Sequence, residues 1–302
     1  MSDVKYDKIN GNVAFVEDIH KYFDVTNPDK KYISVTTLIE KYGQPFDSNF
    51  WSAYKALEKL LPKEVWALEK KSLLSSKKFN KKILEEYNIS ELEFNKTQQS
   101  LLDEWQENNR EACERGTKIH ADFESLFTNK PNNDYIKKFG VGGKLAYGNN
   151  NLNIENGVFP EYLIYRESDD GILLLAGQVD LIIKKGNEIW IVDFKTNKKI
   201  DLKSGFDKKT MSTVKMKYPL NKLDDTNYWH YTLQLSTYAW MLQKINPDFI
   251  IKDLMLLHVD HDSNETLYHC DYLKHEVEKM LYDYKKSLIL ESRRAKRKEI
   301  EY

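Results

Sequence analysis

The chain of 302 residues has few cysteines and no long apolar run, and each shortage excludes a class of protein. Two cysteines, Cys113 and Cys270, are too few for a disulfide framework and are typical of a reducing compartment. No stretch approaches the ~18 apolar residues of a membrane span. Met1 is followed by polar residues rather than by an apolar signal segment. We therefore expect a soluble intracellular protein with no membrane partner.

Charge of neither sign predominates. The 46 basic and 47 acidic residues give a net charge of −1, so the overall charge does not indicate a polyanionic partner. A hydrophobic content of 41% is enough to form the core of one large domain or of two smaller ones. Any affinity for nucleic acid must therefore come from local clusters of charge.

The hydrophobic pattern predicts an α/β core preceded by a mostly helical region. In chain order, the predicted elements are a β-hairpin at 12–38, helices at 48–74 interrupted at Pro62, a helix from 90 or 91 to 127 with one break near Gly116, strands at 158–167, 172–184 and 188–195, a helix at 228–245, strands at 251–260 and 265–270, and a helix from 273. This order divides the chain into residues 1–110, a hairpin and helical subdomain, and residues 111–302, an α/β core.

A hairpin over residues 176–199 brings two carboxylates together. Gly186-Asn187 between alternating apolar residues predicts a two-residue turn, and that turn places Asp180 directly opposite Asp193. Side chains in such a pair lie roughly 4.5–5.5 Å apart at Cβ, where like charges destabilise a sheet. A divalent cation would remove the conflict, because Mg²⁺ takes carboxylate oxygens at about 2.0–2.1 Å.

A lysine belongs to the same face of the hairpin. Lys195 lies two residues after Asp193, so both side chains point the same way, and the same register places Gln178 opposite Lys195. The ammonium could position a water or neutralise charge on a phosphate. The alternative is an ordinary charged surface, in which the lysine offsets two aspartates.

Two further pairs have helical i, i+4 spacing. His120 and Glu124 share one helical face, and Gln234 and Tyr238 share another. An imidazole suits Mn²⁺ or another transition metal better than Mg²⁺. The alternatives are a surface hydrogen bond for the first pair, and a core tyrosine beside a solvated glutamine for the second.

A basic stretch links the hairpin to the helix at 228–245. Its lysines alternate with Phe206, Met211 and Tyr218, and together they could line a channel for single-stranded nucleic acid. The alternative is a solvated, mobile loop. The lysines are Lys195, Lys198, Lys199, Lys203, Lys208, Lys209, Lys215, Lys217 and Lys222.

Taken in order, these motifs resemble the RecB-like exonuclease branch of the PD-(D/E)XK nuclease superfamily. The resemblance covers roughly residues 110–270, and it lies in Gly116-Thr117 with His120, Gly177 with Asp180, Asp193 with Lys195, and Gln234 with Tyr238. The N-terminal segment YISVTTLIEKY is similar to that of phage exonucleases and of the mitochondrial genome maintenance exonuclease group. The resemblance implies a restriction-endonuclease-like core, with a mixed central sheet flanked by helices. One departure is Val179, where the motif's name has proline, but this branch often lacks that proline.

The resemblance also implies a role for each residue. His120, Asp180 and Asp193 would bind Mg²⁺ or Mn²⁺, together with the backbone carbonyl of Phe194. Lys195 would be the catalytic lysine. Further expected site residues are Glu161 for a second metal or a water, Gln234, Tyr238, Thr196, Lys198 and Lys199 for DNA, and Glu124 and Gln178 as accessory groups.

The expected function is therefore a metal-dependent DNA exonuclease that acts on ends, prefers single strands and serves replication, recombination or repair. The alternatives are an endonuclease with the same site, a non-catalytic nucleic-acid-binding module and an interaction protein. We expect the cytoplasm of a bacterium or of a phage-infected cell, with an organelle as the alternative. Trp51, Trp66 and Trp105 would either cap the site or pack a helical subdomain.

Overall fold

The computed structural model describes residues 4–148, 151–207 and 212–300. Its helices are α1 (Val35–Glu40), α2 (Ser48–Leu60), α3 (Lys63–Ser76), α4 (Lys82–Glu86), α5 (Glu91–Asn129), α6 (Asp134–Lys138), α7 (Asn227–Ile245) and α8 (Lys274–Ile300). Its strands are β1 (Val4–Tyr6), β2 (Val13–Val16), β3 (Lys21–Asp24), β4 (Lys31–Ser34), β5 (Gly157–Glu167), β6 (Leu174–Lys185), β7 (Glu188–Lys195), β8 (Phe206–Asp207), β9 (Ser212–Thr213), β10 (Ile250–Val259) and β11 (Glu265–Cys270). The strands and helices predicted after residue 157 are confirmed.

The chain divides into two compact units. One consists of residues Met1–Gln44 and Lys118–Tyr302, and the other of Pro45–Thr117. The sequence places the division at residue 110 and assigns the N-terminal hairpin to the helical region. The structure differs because β4 pairs with β6, through Ile33 with Leu175, and so joins the N-terminal strands to the sheet.

The helical unit has its own core. Ala56, Leu57, Leu84 and Phe94 are buried there, and Trp66 packs among them. α2 and α3 are separated at Pro62, as predicted. The break predicted near Gly116 is wrong, because α5 is continuous. A single interior glycine costs a helix only about 1 kcal/mol relative to alanine.

The sheet of the other unit is mixed. Among the described residues it has nine strands in the order β1-β2-β3-β4-β6-β7-β10-β11, with β5 pairing to β6 outside that path. β4 with β6 and β7 with β10 are parallel pairs, and the other pairs are antiparallel.

Helices cover both faces of this sheet. The buried contacts on one face come from α1, α7 and α8, through Leu38, Leu235 and Met280 against Ile182 and Ile191. On the other face they come from the end of α5 and from α6, through Phe123, Phe127 and Ile136 against Leu181 and Val192. The chain therefore has a mixed α/β core with a central sheet flanked by helices.

The predicted hairpin forms with the predicted register. Gly186 has a φ of +60°, which the two-residue turn requires, and Ile183 pairs with Trp190. The ladder ends at the pair Leu181–Val192. Beyond it, the backbone N–H of Phe194 donates to Asp180 Oδ2 at 2.7 Å instead of to a β6 carbonyl.

The N-terminal strands cover one side of β5 and β6. Phe15, Tyr22 and Tyr32 pack against Leu163 and Ala176. The single hairpin expected over residues 12–38 is in fact a three-stranded antiparallel arrangement followed by α1. Helix α1 begins within the predicted strand because Ser34, the residue before the helix, caps its first turn with its side chain.

Candidate active site

Three carboxylates lie side by side on adjacent strands. The β5–β6 register places Glu161 opposite Asp180, since Pro160 pairs with Leu181 and the register continues beyond. The hairpin register, continued by one residue, places Asp180 opposite Asp193. Adjacent strands are ~4.7–4.9 Å apart, so these side chains form a line across three strands. We call Glu161, Asp180 and Asp193 the carboxylate row.

The backbone of β5 and β6 is irregular at this row. Glu161 has a φ of +47°, a left-handed conformation that costs a non-glycine residue about 1–3 kcal/mol. Val179 and Ile182 pack in the same core cluster, although regular alternation would put them on opposite faces. Phe159 and Tyr162 show the same reversal. Both strands therefore turn over at the row, which redirects the side chains there.

His120 reaches the row from α5. Its Nδ1 lies 3.7 Å from Glu161 Oε1 and 3.6 Å from Asp180 Oδ2. Its Nε2 lies 3.0 Å from the carbonyl oxygen of Phe194, which can only accept, so Nε2 carries the proton. Stacking of Phe123 on Phe194, with centroids 4.2 Å apart, fixes this part of the helix against β7.

The row sets the charge of His120. Burial lowers the pKa of His120, but attraction to Asp180 and Glu161 outweighs it and raises the pKa to about 9. Burial also raises the pKa of Asp180, despite the nearby cations. Without a metal ion, the row therefore holds a proton on the imidazole.

Asp193 lies at the other end of the row, in contact with Lys195 and Gln234. Lys195 Nζ is 2.6 Å from Asp193 Oδ2, and Gln234 Nε2 donates to Asp193 Oδ1 at 2.9 Å. Asp193 is 1% exposed, and burial raises its pKa. Burial lowers the pKa of Lys195, but Asp193 and Asp180 reverse this and raise it overall, so the lysine is charged. Its ammonium also lies 4.7 Å from the centre of the Tyr231 ring.

The remaining motif residues support Asp193 from within the core. Tyr238 is 3% exposed, and its hydroxyl accepts from Gln234 Nε2 at 3.3 Å. A Cβ on Gly177 would lie 2.6 Å from Tyr238 Cε1, so the glycine makes room for the ring. The sequence suggests that Gln234 and Tyr238 contact or position DNA. Both side chains are buried, so their location does not fit direct contact with DNA. It fits an indirect role, in which they hold Asp193 in place.

Gln178 lies elsewhere than its predicted place opposite Lys195. Strands β6 and β7 separate at this point, so Gln178 is paired on its other side, with Leu163 of β5. Its side-chain amide donates to Glu161 Oε2 at 2.5 Å. Two residues that carry no motif also approach the row. Lys5 Nζ is 4.0 Å from Glu161 Oε2. Tyr22 is buried beside the row, and burial together with Glu161 and Asp180 raises its pKa.

The outer predicted residues lie at the edge of the site. Glu124 is half-buried and makes no hydrogen bond or ion pair within the described residues. Thr196 is half-buried just after Lys195, whereas Lys198 and Lys199 are exposed. Lys199 pairs with Asp201 at 2.8 Å.

The basic stretch has exposed aromatic rings and is held together by hydrogen bonds to the buried Asp224. Phe206 is 60% exposed and Tyr218 is 75% exposed. Asp224 accepts hydrogen bonds from Thr213, Lys215 and the backbone of Ser204, and so ties the stretch together. Lys208, Lys209 and Met211 lie outside the described residues.

His120, Glu161 and Asp180 fit a metal ion. Within the described part of the chain, these are the His, Cys, Asp and Glu side chains grouped for one, with ligand atoms all within 4.8 Å of one another. One nitrogen and two carboxylates suit Mn²⁺ or Mg²⁺. The sequence predicts Asp193 as the third metal-binding side chain, whereas the group found here contains Glu161 instead. Asp193 forms an ion pair with Lys195, and the carbonyl oxygen of Phe194 contacts His120.

Comparison with known proteins gives no family assignment. No protein-family model matches the chain, and no curated protein gives a significant match. Among solved structures, SSO0001 is 16% identical with a TM-score of 0.32, over 57% of this chain and 59% of that protein. A protein from Eubacterium rectale, provisionally described as an exonuclease, is 10% identical with a TM-score of 0.33, over 85% of this chain and 80% of that one. TM-scores this low support no conclusion about fold or activity.

The sequence predicts no membrane-spanning segment, and the helices of the structure bear on this prediction. Among the described residues, no helix combines the length and apolar composition that crossing a membrane requires.

Proposed function

We propose that this chain is a Mg²⁺- or Mn²⁺-dependent deoxyribonuclease of the RecB-like PD-(D/E)XK type, which degrades DNA from its ends. The observation that carries the proposal is the carboxylate row, with His120 at one end and the Asp193–Lys195 ion pair at the other. The order of the sequence motifs supports the same reading. We place its action in DNA replication, recombination or repair, in a bacterial or phage-infected cell.

The side chains of the row divide into two groups with different tasks. His120, Glu161 and Asp180 would hold the metal ion, which supplies an activated water and neutralises charge on the scissile phosphate. Asp193 would keep Lys195 in place, because Gln234 fixes its second oxygen. The irregular backbone at Glu161 would keep the metal-binding oxygens in position before substrate arrives.

Lys195 would stabilise negative charge on the reacting phosphate. Its ammonium is charged and largely buried, and it forms an ion pair with Asp193. A cation held in a site that excludes water stabilises charge far better than one in solvent. Removal of a single such donor costs catalysis roughly 10²–10³-fold.

The stretch after Lys195 would guide the DNA strand. Thr196, Lys198 and Lys199 follow the catalytic lysine directly, and Phe206 and Tyr218 expose their rings further along. Exposed rings between lysines suit single strands, because unpaired bases stack on aromatic side chains while ammonium groups contact phosphates. This composition supports a preference for single-stranded DNA.

The test uses end-labelled linear and closed circular single-stranded DNA with Mg²⁺, Mn²⁺ or chelator. An end-dependent exonuclease should degrade the linear strand with metal and spare the circle, and Lys195→Ala should be folded but roughly 10²–10³-fold less active. Lys137→Ala is the matched control, since it removes an exposed lysine of α6 that lies outside the row and outside the stretch after Lys195. Cutting of the circle would indicate an endonuclease. Full activity of Lys195→Ala, or no cutting by the wild type, would overturn the proposed site.

A further inference from the structure

We propose that Lys5 binds a second phosphate of the cleaved strand, next to the scissile phosphate. The inference rests on the proposed nuclease function and adds a phosphate-binding residue that no motif contains. It is carried by the position of Lys5 beside Glu161, at the end of the carboxylate row opposite to Lys195.

The row has an ammonium at each end. Lys195 contacts Asp193 on β7, and Lys5 approaches Glu161 on β5, two strands away. Two strand spacings amount to about 9–10 Å. A strand that places one phosphate over Asp180, beside Lys195, therefore has a neighbouring phosphate within reach of the other end of the row.

Lys5 makes no hydrogen bond with its acidic neighbour, Glu161. At 4.0 Å, its Nζ is beyond hydrogen-bond distance of Glu161 Oε2, which already accepts from Gln178. Glu161 Oε1 faces His120. The Lys5 side chain is 30% exposed and makes no hydrogen bond within the described residues, so its three donors are available to a ligand.

The backbone of Lys5 is fixed rather than frayed. Lys5 pairs with Phe15 on β2, and Phe15 stacks on Tyr22 with ring centroids 4.6 Å apart. Asp7, which is 3% exposed, accepts from the backbone N–H of Val13 at 2.8 Å and closes the turn after β1. The ammonium is thus presented to the row from a strand whose three residues all pair with β2.

Charge balance explains why a second cation is useful. The three carboxylates, Lys195 and one divalent ion would together have no net charge, so their attraction for a phosphodiester at a distance would be weak. Lys5 adds one positive charge to the row. Such a contact releases a condensed counterion, and the slope of log K against log salt changes by about 0.7 for each phosphate contact on a single strand.

The experiment measures binding rather than cleavage. A fluorescent single-stranded oligonucleotide is titrated with wild type, Lys5→Ala, Lys5→Arg and Lys21→Ala in Ca²⁺, over a range of salt concentrations, with the DNA checked for integrity on gels. Lys21 is the matched control, as an exposed lysine on β3. Unfolding midpoints confirm that each variant folds.

Lys5→Ala should bind several-fold more weakly, with its slope reduced by about 0.7, while Lys5→Arg and Lys21→Ala retain the wild-type slope. A wild-type slope for Lys5→Ala, equal losses for Lys5→Ala and Lys21→Ala, or no DNA binding by the wild type would each overturn the proposal. DNA that is bound but never degraded with Mg²⁺ or Mn²⁺ would overturn the nuclease function alone, and the slopes would still decide the role of Lys5.

Discussion

Gly177→Ala should destabilise the protein through a single contact. The new methyl would lie 2.6 Å from Tyr238 Cε1, closer than real Cβ atoms come, and 3.2 Å from the hydroxyl oxygen, which is also tight. The ring has little room to move, because Tyr238 is buried and hydrogen-bonded to Gln234. Overpacking of this kind costs about 1–3 kcal/mol. For a unit of this size, that lowers the unfolding midpoint by about 2–4 °C per kcal/mol.

Under the proposed nuclease function, the same substitution should also impair catalysis. Displacement of Tyr238 moves Gln234, and Gln234 holds the oxygen of Asp193 that Lys195 does not contact. We therefore expect a loss of kcat on linear single-stranded DNA that is larger than the loss of stability alone explains.

Three further variants isolate the contact: Gly142→Ala, Tyr238→Leu, and Gly177→Ala combined with Tyr238→Leu. Gly142→Ala is the control, because a Cβ there has nothing within 4 Å. In the double variant Gly177→Ala with Tyr238→Leu, the smaller side chain should accommodate the methyl, so the two changes should cost less together than the sum of their separate effects. Thermal unfolding of all four variants is the assay. A Gly177→Ala protein as stable as wild type, or strictly additive losses, would refute the packing described here.

Two further predictions concern the metal group and the hairpin. His120→Ala should weaken Mn²⁺ binding by about tenfold or more in calorimetry, because loss of even an outer hydrogen-bond partner of a metal ligand costs 10–100-fold in affinity. Glu124→Gln is the control. An unchanged Mn²⁺ affinity of the His120→Ala protein would show that His120 is not a metal ligand. Gly186→Val should destabilise the protein by about 1–2 kcal/mol in urea unfolding, because valine would have to adopt the left-handed turn conformation. Gly186→Asn should be tolerated better, and equal stability of the two would contradict the assigned turn.

The hairpin was predictable because its signals are local. Gly186-Asn187 determines the turn, the turn determines the register, and the register aligns Asp180 with Asp193. The helical spacing of Gln234 and Tyr238 is local in the same sense. What the spacing did not indicate is that both side chains point inward, since their burial depends on the close approach of α7 to Gly177.

The rest of the site depends on contacts that are distant in sequence. Glu161 joins the row only because β5 pairs antiparallel with β6, and its left-handed φ follows no residue preference. Gln178 turns to Glu161 because β6 and β7 separate, which no turn signal marks. Lys5 and Tyr22 come from strands more than a hundred residues earlier, so only the packed sheet places them beside the row.

The pairing of β4 with β6 has a consequence for synthesis on the ribosome. Ile33 pairs with Leu175, so β4 leaves the ribosome 142 residues before its partner. At about 5–20 residues per second, the interval is roughly 7–28 s. Through that time the strand has an unpaired edge, which invites pairing with other chains. Stalled nascent chains should therefore be cut by protease near β4 until β6 has emerged, and a chaperone that shields this edge should raise the yield of native protein.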